Sequence, residues 1–294
     1  MKSEIKIVGT GSLGSALARR LLDCGYPVAA FNRTASKAEA LVGYGARVIT
    51  DVNKVFDDHQ SIVIVCLKDA DSIISTFAPL SAHSDKQNNK ILVMNTSTLG
   101  PSESVRVEAF MRTLSVEYVE LPVSGGPEGA IQGRLVAYIG PVSDSFRADI
   151  LDIASLLCHC YSLMKSNYHA QAMKVINNYC EAMNMAVASE AVYFAEKIGL
   201  SKDDICKTLP MGRGRSVYMD VLLDKYQRSD HSISFPLDLR VKDLKLVAQM
   251  FDDTNVRSFF YSQLSSAYDK ALMANHSRVD QSAYLNFFKN YNKN

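Results

Sequence analysis

Short apolar runs rich in β-branched residues alternate with stretches of helical period up to about Met164, and beyond Tyr168 only the helical period remains. The runs predict strands over Glu4–Val8, Val28–Asn32, Ala46–Ile49, Ile62–Leu67, Ile91–Asn95, Val116–Leu121 and Val136–Gly140. Strands alternating with helices are the pattern of successive βα units, which build a mostly parallel sheet. From Tyr168 to Gly199 there is no proline and much Ala, Met, Val and Asn, predicting one long helix with Gly199 as its C-cap. Apolar residues lie on more than one face of that helix, as in a helix buried between domains or subunits. This points to a homodimer or homotetramer. Ser201, with Asp204 three residues on, resembles a capping box and opens the next helix. The expected organisation is an α/β N-terminal domain over residues 1–166 and an all-α C-terminal domain over 167–294, joined by the long interdomain helix.

Composition narrows the chemistry. At 294 residues and 47% hydrophobic, the chain can bury two cores. Its 32 basic and 31 acidic side chains leave a net charge of +1 without a like-charge block, so nucleic acid is not expected as a partner. No apolar run reaches membrane-spanning length and the first residues carry no signal-peptide pattern, so we expect no membrane association and a cytoplasmic location. The six cysteines are scattered, and Cys158-His159-Cys160 lacks the second half of a zinc site, so reduced thiols and no metal are expected. Chemistry on small molecules remains.

Gly9-Thr10-Gly11-Ser12-Leu13-Gly14 directly follows the first strand and opens a helix over Ser12–Asp23, the context in which G-x-G-x-x-G is a dinucleotide fingerprint. Gly9 allows the tight turn, Gly11 lets the backbone approach the pyrophosphate, and Gly14 lets the helix pack on the strand. Ser12 and Leu13 stand at the helix N-terminus, whose unpaired N–H groups carry partial positive charge. A glycine turn without a ligand is the competing reading. At the end of the second strand, where a carboxylate would bind the ribose 2′-hydroxyl of NAD, the residues are Asn32-Arg33-Thr34. Arginine pairs with a 2′-phosphate, and Asn32 and Thr34 can add neutral hydrogen bonds, so NADP (NADPH) is expected over NAD unless Arg33 is a surface charge. Ligands of doubly wound sheets lie along the C-terminal strand edge, which adds Leu67 and Lys68 after the fourth strand and Ser97 and Thr98 after the fifth. Ser97 and Thr98 either face the nicotinamide or cap the helix that starts near Pro101.

Glu120 to Leu135 reads E-L-P-V-S-G-G-P-E-G-A-I-Q-G-R-L, a run of small residues after an apolar strand. Ser124, Gly125 and Gly126 leave backbone N–H groups open to a substrate carboxylate; a Gly-Pro surface turn has the same composition. Lys174 and Asn178, four residues apart near the start of the long helix, project from one face. Among Ala172, Met173, Val175 and Ile176 an ammonium loses solvation, which moves its pKa down toward the range useful for proton donation. The bland alternative is a solvated helical lysine. Gly212-Arg213-Gly214-Arg215 offers a second anion contact or two surface charges.

Together these motifs resemble the β-hydroxyacid dehydrogenase family, over nearly the whole chain. In that family a G-x-G-x-x-G loop binds the cofactor, D-x-S-T-x-x-P lines the nicotinamide and P-V-S-G-G-x-x-G-A holds the substrate. A helical K-x-x-N-N supplies the catalytic lysine, and a later K-D-L returns a lysine to the cofactor. The matching residues are Gly9 to Gly14, Ser97-Thr98 to Pro101, Pro122 to Ala130, Lys174 with Asn177 and Asn178, and Lys242-Asp243-Leu244. The resemblance implies a Rossmann N-terminal domain and an NADPH-dependent reductase of a small carboxylate-bearing aldehyde or keto acid. Lys174 would donate the proton, Asn178 orient the substrate and Lys242 reach the cofactor. The Asn32-Arg33-Thr34 turn is similar to the NADP-preferring semialdehyde reductase branch. Three departures stand out: Asn95 replaces the usual Asp, Glu120-Leu121 the usual Asp-Ala, and Tyr168 and Ala170 the glycines before the lysine. The alternatives are an imine reductase on the same architecture and a cofactor-binding interaction or sensor protein without turnover.

Overall fold

The computed structural model describes residues 2–56, 60–83, 90–275 and 277–293. Contacts divide it into two compact units, Met1–Lys174 and Val175–Asn294. In the first, the chain runs β1 (Ile5–Val8), α1 (Ser12–Asp23), β2 (Val28–Phe31), α2 (Ala35–Glu39), β3 (Arg47–Ile49), β4 (Gln60–Val65), α3 (Ala70–Phe77), β5 (Lys90–Asn95) and α4 (Pro101–Thr113). It continues through β6 (Glu117–Glu120), β7 (Val123–Ser124), α5 (Gly126–Gln132), β8 (Leu135–Ile139), α6 (Arg147–Leu157) and β9 (Cys158–Leu163). Six strands make one parallel sheet in the order β3-β2-β1-β4-β5-β6. The order reverses at β1 and β4, where doubly wound Rossmann sheets open a crevice at their C-terminal edge.

Alternate strand residues face opposite sides of the sheet. In β4, Ile62 and Ile64 join the core built with Leu17 and Leu21 of α1 and Ile150 and Ile153 of α6. Val63 and Val65 join the other core, with Ile73 and Phe77 of α3 and Val107 and Met111 of α4. Burial on both faces is why these strands read as continuous apolar runs.

The six strands of this sheet begin and end within two residues of the sequence expectation. The seventh predicted strand departs from it. β8 is the centre of a separate three-stranded sheet, antiparallel to β7 and parallel to β9. Neither neighbour had a strand signal: β7 is two residues inside a Gly-Pro segment, and β9 exposes every residue after Cys158.

The long helix, α7 (Asn167–Lys197), contains the division between the units. Ser166 caps it, its Oγ accepting from His169 N at 3.2 Å and its carbonyl from Ala170 N at 3.1 Å. Tyr168 and Ala170 lie within the helix itself, where no glycine conformation is required. Gly199, at φ +90°, ends the helix, its N–H reaching Glu196 O at 3.0 Å.

The second unit holds α8 (Lys202–Thr208), α9 (Val217–Arg228), α10 (Leu237–Thr254), α11 (Tyr261–Met273) and α12 (Ala283–Tyr291). Ser201 caps α8 by accepting from Asp204 N at 3.1 Å. Leu237, Val241 and Leu244 of α10 pack with Leu264 and Tyr268 of α11 and Ala182 and Ala186 of α7. Within this core Arg240 is fully buried and donates to Glu181 Oε2 at 2.7 Å, Asn178 O at 2.8 Å and Gln281 Oε1 at 2.9 Å. Such a guanidinium is tolerated because each of its three nitrogens donates to an acceptor and one of them meets a carboxylate. Among the described residues no helix is long and apolar enough to cross a membrane, and no group of His, Cys, Asp and Glu is arranged to hold a metal.

Candidate active site

The glycine loop is shaped by backbone packing. A Cβ on Gly14 would lie 2.0 Å from Gly9 O, and one on Gly9 would lie 2.2 Å from Cys66 O, so α1 approaches the ends of β1 and β4 too closely for any side chain. At Gly11, by contrast, a Cβ meets nothing within 4 Å. Gly11 and Ser12 are exposed, and no side chain caps α1. The helix therefore opens on solvent at Gly11 and Ser12, while the Gly14 N–H is turned to the Cys66 thiol. At the same turn Thr10 Oγ1 is buried without a hydrogen-bond partner. An open backbone cradle, a helix N-terminus and an orphaned hydroxyl fit the diphosphate of a dinucleotide.

Asn32 has a scaffolding task. Its Oδ1 accepts from Thr10 N at 3.1 Å and its Nδ2 donates to Thr34 O at 2.9 Å, tying the glycine loop to the β2–α2 turn. Arg33 and Thr34 stand exposed on that turn.

At the next strand ends, Leu67 N donates to Ser97 Oγ at 2.9 Å, while Lys68 is exposed and Thr98 half-buried. Ser97 thus braces a neighbouring loop. The cap of α4 comes from Glu103, whose carboxylate accepts from Gly100 N at 2.8 Å. Glu120, the last residue of β6, is fully buried and accepts from Asn95 Nδ2 at 2.8 Å, Tyr118 OH at 2.6 Å and Gln171 Nε2 at 2.7 Å. Desolvation pushes its carboxyl up to about 7, against the opposing pull of those three hydrogen bonds. Gln171 also donates to Ser97 O at 2.8 Å and accepts from Leu99 N at 3.0 Å. Nothing in the sequence reading had singled out Gln171; its place one turn before Lys174 on the same helix face was the available signal.

Ser124 closes β7, and Gly125 and Gly126 follow with φ of +127° and +67°. Two successive residues in the left-handed region require glycine, and they leave the loop's backbone uncovered. On α7, Lys174 is 5% exposed and Asn178 1% exposed, one turn apart. In the second unit Asn178 Nδ2 donates to Asp243 Oδ2 at 2.6 Å, and Asp243 pairs with Lys242 at 3.1 Å. Asn177 turns to Glu181 at 2.7 Å. Arg215 is paired with Asp220 at 2.8 Å on the surface, favouring its reading as a surface charge.

Residues 4–159 match the family model described as the NAD binding domain of 6-phosphogluconate dehydrogenase. Residues 169–288 match that of the NAD-binding region of NADP-dependent 3-hydroxyisobutyrate dehydrogenase. The chain belongs to the β-hydroxyacid dehydrogenase family. It is accordingly an NAD(P)-binding oxidoreductase. The 2-(hydroxymethyl)glutarate dehydrogenase of Eubacterium barkeri is 25% identical over 288 residues, 97% of this chain and 95% of that one. The solved structure of Psf3 in complex with NADP+ and 2-OPP is 26% identical, with a TM-score of 0.86 over 97% of this chain and 99% of that one. An imine reductase from Pseudomonas sp. shares the fold at a TM-score of 0.62 and 20% identity, covering 98% of this chain and 100% of its own.

Two outcomes follow from this geometry. Gly11→Asp supplies α1 with a better N-cap and keeps or raises stability by a few tenths of a kcal/mol, yet repels a diphosphate and weakens NADPH binding about tenfold or more. Gly14→Ala instead forces backbone apart and costs about 1–3 kcal/mol. Urea unfolding beside NADPH fluorescence titration checks both, and a Gly11→Asp protein that binds like the parent refutes the assignment. The second concerns pH. A folded carboxyl near 7 against an ordinary value of 4.5 means that Glu120 opposes folding only once it must ionise. The stability of the parent relative to Glu120→Gln therefore falls as pH rises from 4.5 toward 7 and levels off above, by about 3 kcal/mol in all. Parallel stability curves for the two proteins across that window would contradict it.

Proposed function

We propose that the chain is an NADPH-dependent reductase interconverting a small carboxylate-bearing aldehyde or keto acid and its hydroxy acid. The observation that carries this reading is Lys174, an ammonium buried on α7 one turn beyond the glutamine that holds the Ser97–Leu99 segment. Bound NADPH supplies the hydride to the carbonyl carbon. Lys174 stabilises the charge developing on the carbonyl oxygen and donates the proton that completes the hydroxyl, then regains a proton from solvent. In the reverse direction the neutral amine removes that proton. Asn178, steadied by Asp243, orients the carbonyl, and Ser124 with the N–H groups of Gly125 and Gly126 takes the carboxylate. Gly9, Gly11, Ser12, Leu13 and Gly14 would hold the diphosphate, Leu67, Lys68 and Thr98 would line the cofactor, and Lys242 is assigned to the cofactor as well. NADP over NAD is supported by the exposed Arg33, by the lack of a carboxylate in Asn32-Arg33-Thr34, and by the NADP+ bound to Psf3.

The partner we assign is a second copy of the chain. Ile176, Val187, Phe194 and Ile198 are 47%, 58%, 68% and 62% exposed and recur at spacings of 11, 7 and 4 residues, which align them in one stripe along α7 and its end. Apolar stripes of this length on a folded domain are characteristic of interfaces.

The deciding assay follows NADPH oxidation with glyoxylate, succinic, tartronate and methylmalonate semialdehydes and a cyclic imine, using the parent and Lys174→Ala. Turnover of at least one aldehyde acid is expected, falling about a hundredfold or more in Lys174→Ala with NADPH affinity kept. Preference for the imine, or equal rates in parent and variant, would overturn the mechanism. For the assembly, Phe194→Glu is expected to shift the mass seen by light scattering from an oligomer to a monomer of 32.5 kDa. A parent that already runs as a monomer refutes the stripe's assignment.

A further inference from the structure

Glu120 and Gln171 lie wholly within the first unit, neither reaches solvent, and together they join the ends of β5 and β6 to the start of α7. Gln171 has an amide whose two ends are chemically distinct, and its surroundings admit one orientation. Its Nε2 faces two acceptors, Glu120 Oε2 at 2.7 Å and Ser97 O at 2.8 Å, and its Oε1 faces the donor Leu99 N at 3.0 Å. Rotating the amide by half a turn would set oxygen against a carboxylate and a carbonyl, and NH2 against an N–H. The Glu120 carboxylate therefore reinforces the orientation that Ser97 O and Leu99 N require, and ties the Gln171 amide that grips both of them to the end of β6. Glu120 is itself fastened on every side: by Asn95 Nδ2, by Tyr118 OH, and through its own backbone N–H to Asn167 Oδ1 at 2.9 Å. Asn167 is the first residue of α7, so the helix is anchored to the end of β6 at Asn167 and again at Gln171. Lys174 follows one turn later. Asn95 Oδ1 meanwhile accepts from Ser97 N at 3.1 Å, and Ser97 Oγ holds Leu67 N. Buried hydrogen bonds that saturate one another in a low dielectric make a stiff unit.

We propose that Glu120 is a positioning residue: acting through Gln171, it holds the Ser97–Leu99 segment against the first turns of α7 and thereby sets the nicotinamide end of the cofactor relative to Lys174. The inference rests on the proposed reductase reading for what the segment faces. It assigns Glu120 no contact with substrate or cofactor.

The test separates the two ends of the cofactor. Gln171→Met, Glu120→Leu and Glu120→Gln are compared with the parent for binding of NADPH and of 2′,5′-ADP, which lacks the nicotinamide, with circular dichroism as the check on folding. Gln171→Met and Glu120→Leu are expected to weaken NADPH about tenfold while leaving 2′,5′-ADP within about twofold. With any carbonyl the parent reduces, kcat falls about tenfold to a hundredfold, KM moves little, and the primary deuterium isotope effect from 4-deuterated NADPH rises. Glu120→Gln is expected to rescue. Its amide oxygen can accept from Asn95 and Gln171 while its NH2 donates to Tyr118 OH. Should Glu120→Leu fail to fold, Gln171→Met alone decides. NADPH and 2′,5′-ADP weakening in parallel, no change in folded Gln171→Met, or a Glu120→Gln that behaves like Glu120→Leu would each overturn the proposal. A parent that binds NADPH but reduces none of the carbonyls defeats the reductase reading, and the binding comparison still tests the positioning role.

Discussion

A carboxylate taken wholly out of water needs a donor for each oxygen, and at the end of β6 that requirement organises the first unit's functional edge. Glu120 draws in Asn95 from β5, Tyr118 from its own strand and Gln171 from α7, and Gln171 fixes the backbone of the segment after β5. The second unit has a mirror of the problem in Arg240, a buried cation surrounded by acceptors. Its bond to Asn178 O holds the α7 backbone at the residue whose side chain is held by Asp243. In both units a buried charge is compensated by groups beside the residues proposed to act. Losing the compensation would leave Arg240 a bare charge in the core and drive Glu120 to take up a proton, so in both units the surrounding geometry is maintained by a penalty.

The cofactor end is organised by a different constraint, the exclusion of side chains. Gly14 against Gly9 O, and Gly9 against Cys66 O, set the spacing of α1 from the ends of β1 and β4. That packing leaves the uncapped turn at Gly11 pointing away from any protein neighbour. The same backbone is thus tight on its inner side and open on its outer side. Asn32 bridges this loop to the turn carrying Arg33, so the part that would meet diphosphate and the part that would meet ribose are held as one piece.

Local features of this arrangement were legible in the sequence. The glycine spacing after an apolar run, the helix at Ser12–Asp23, the C-cap at Gly199 and the Ser201 cap depend on neighbours within a few residues, and the structure has each of them. Periodicity reports that a residue is buried but not what it meets. Gln171 bonds to residues 51 and 74 positions away, which no window on the sequence contains. Asn32, read in the sequence only as a neutral hydrogen-bonding neighbour of Arg33, also accepts from Thr10 N, 22 positions away and outside its own turn. β9 escaped notice because Cys-His-Cys-Tyr-Ser-Leu, as an exposed strand, carries no apolar alternation. One long-range signal was present: an acidic residue ending the buried run V-E-Y-V-E-L-P-V must be satisfied by something, and the only open matter was by what.

Two of the departures from the family pattern make sense as a pair. Asn95 stands where the family usually has aspartate, and Glu120 begins the segment that usually reads Asp-Ala. In this chain Asn95 Nδ2 lies 2.8 Å from Glu120 Oε2 while Asn95 Oδ1 accepts from Ser97 N. An aspartate at 95 would keep the second bond but turn an oxygen toward the Glu120 carboxylate, and two carboxylates that close cannot both be ionised out of contact with water. The amide supplies the missing donor. With Asn95 in place, the longer Glu120 side chain can be the single acid of the cluster, reaching Gln171 as well as Asn95 from one oxygen. What reads along the sequence as two separate lapses from a motif is, in space, one exchange of a carboxylate for an amide that lets the other carboxylate stay buried.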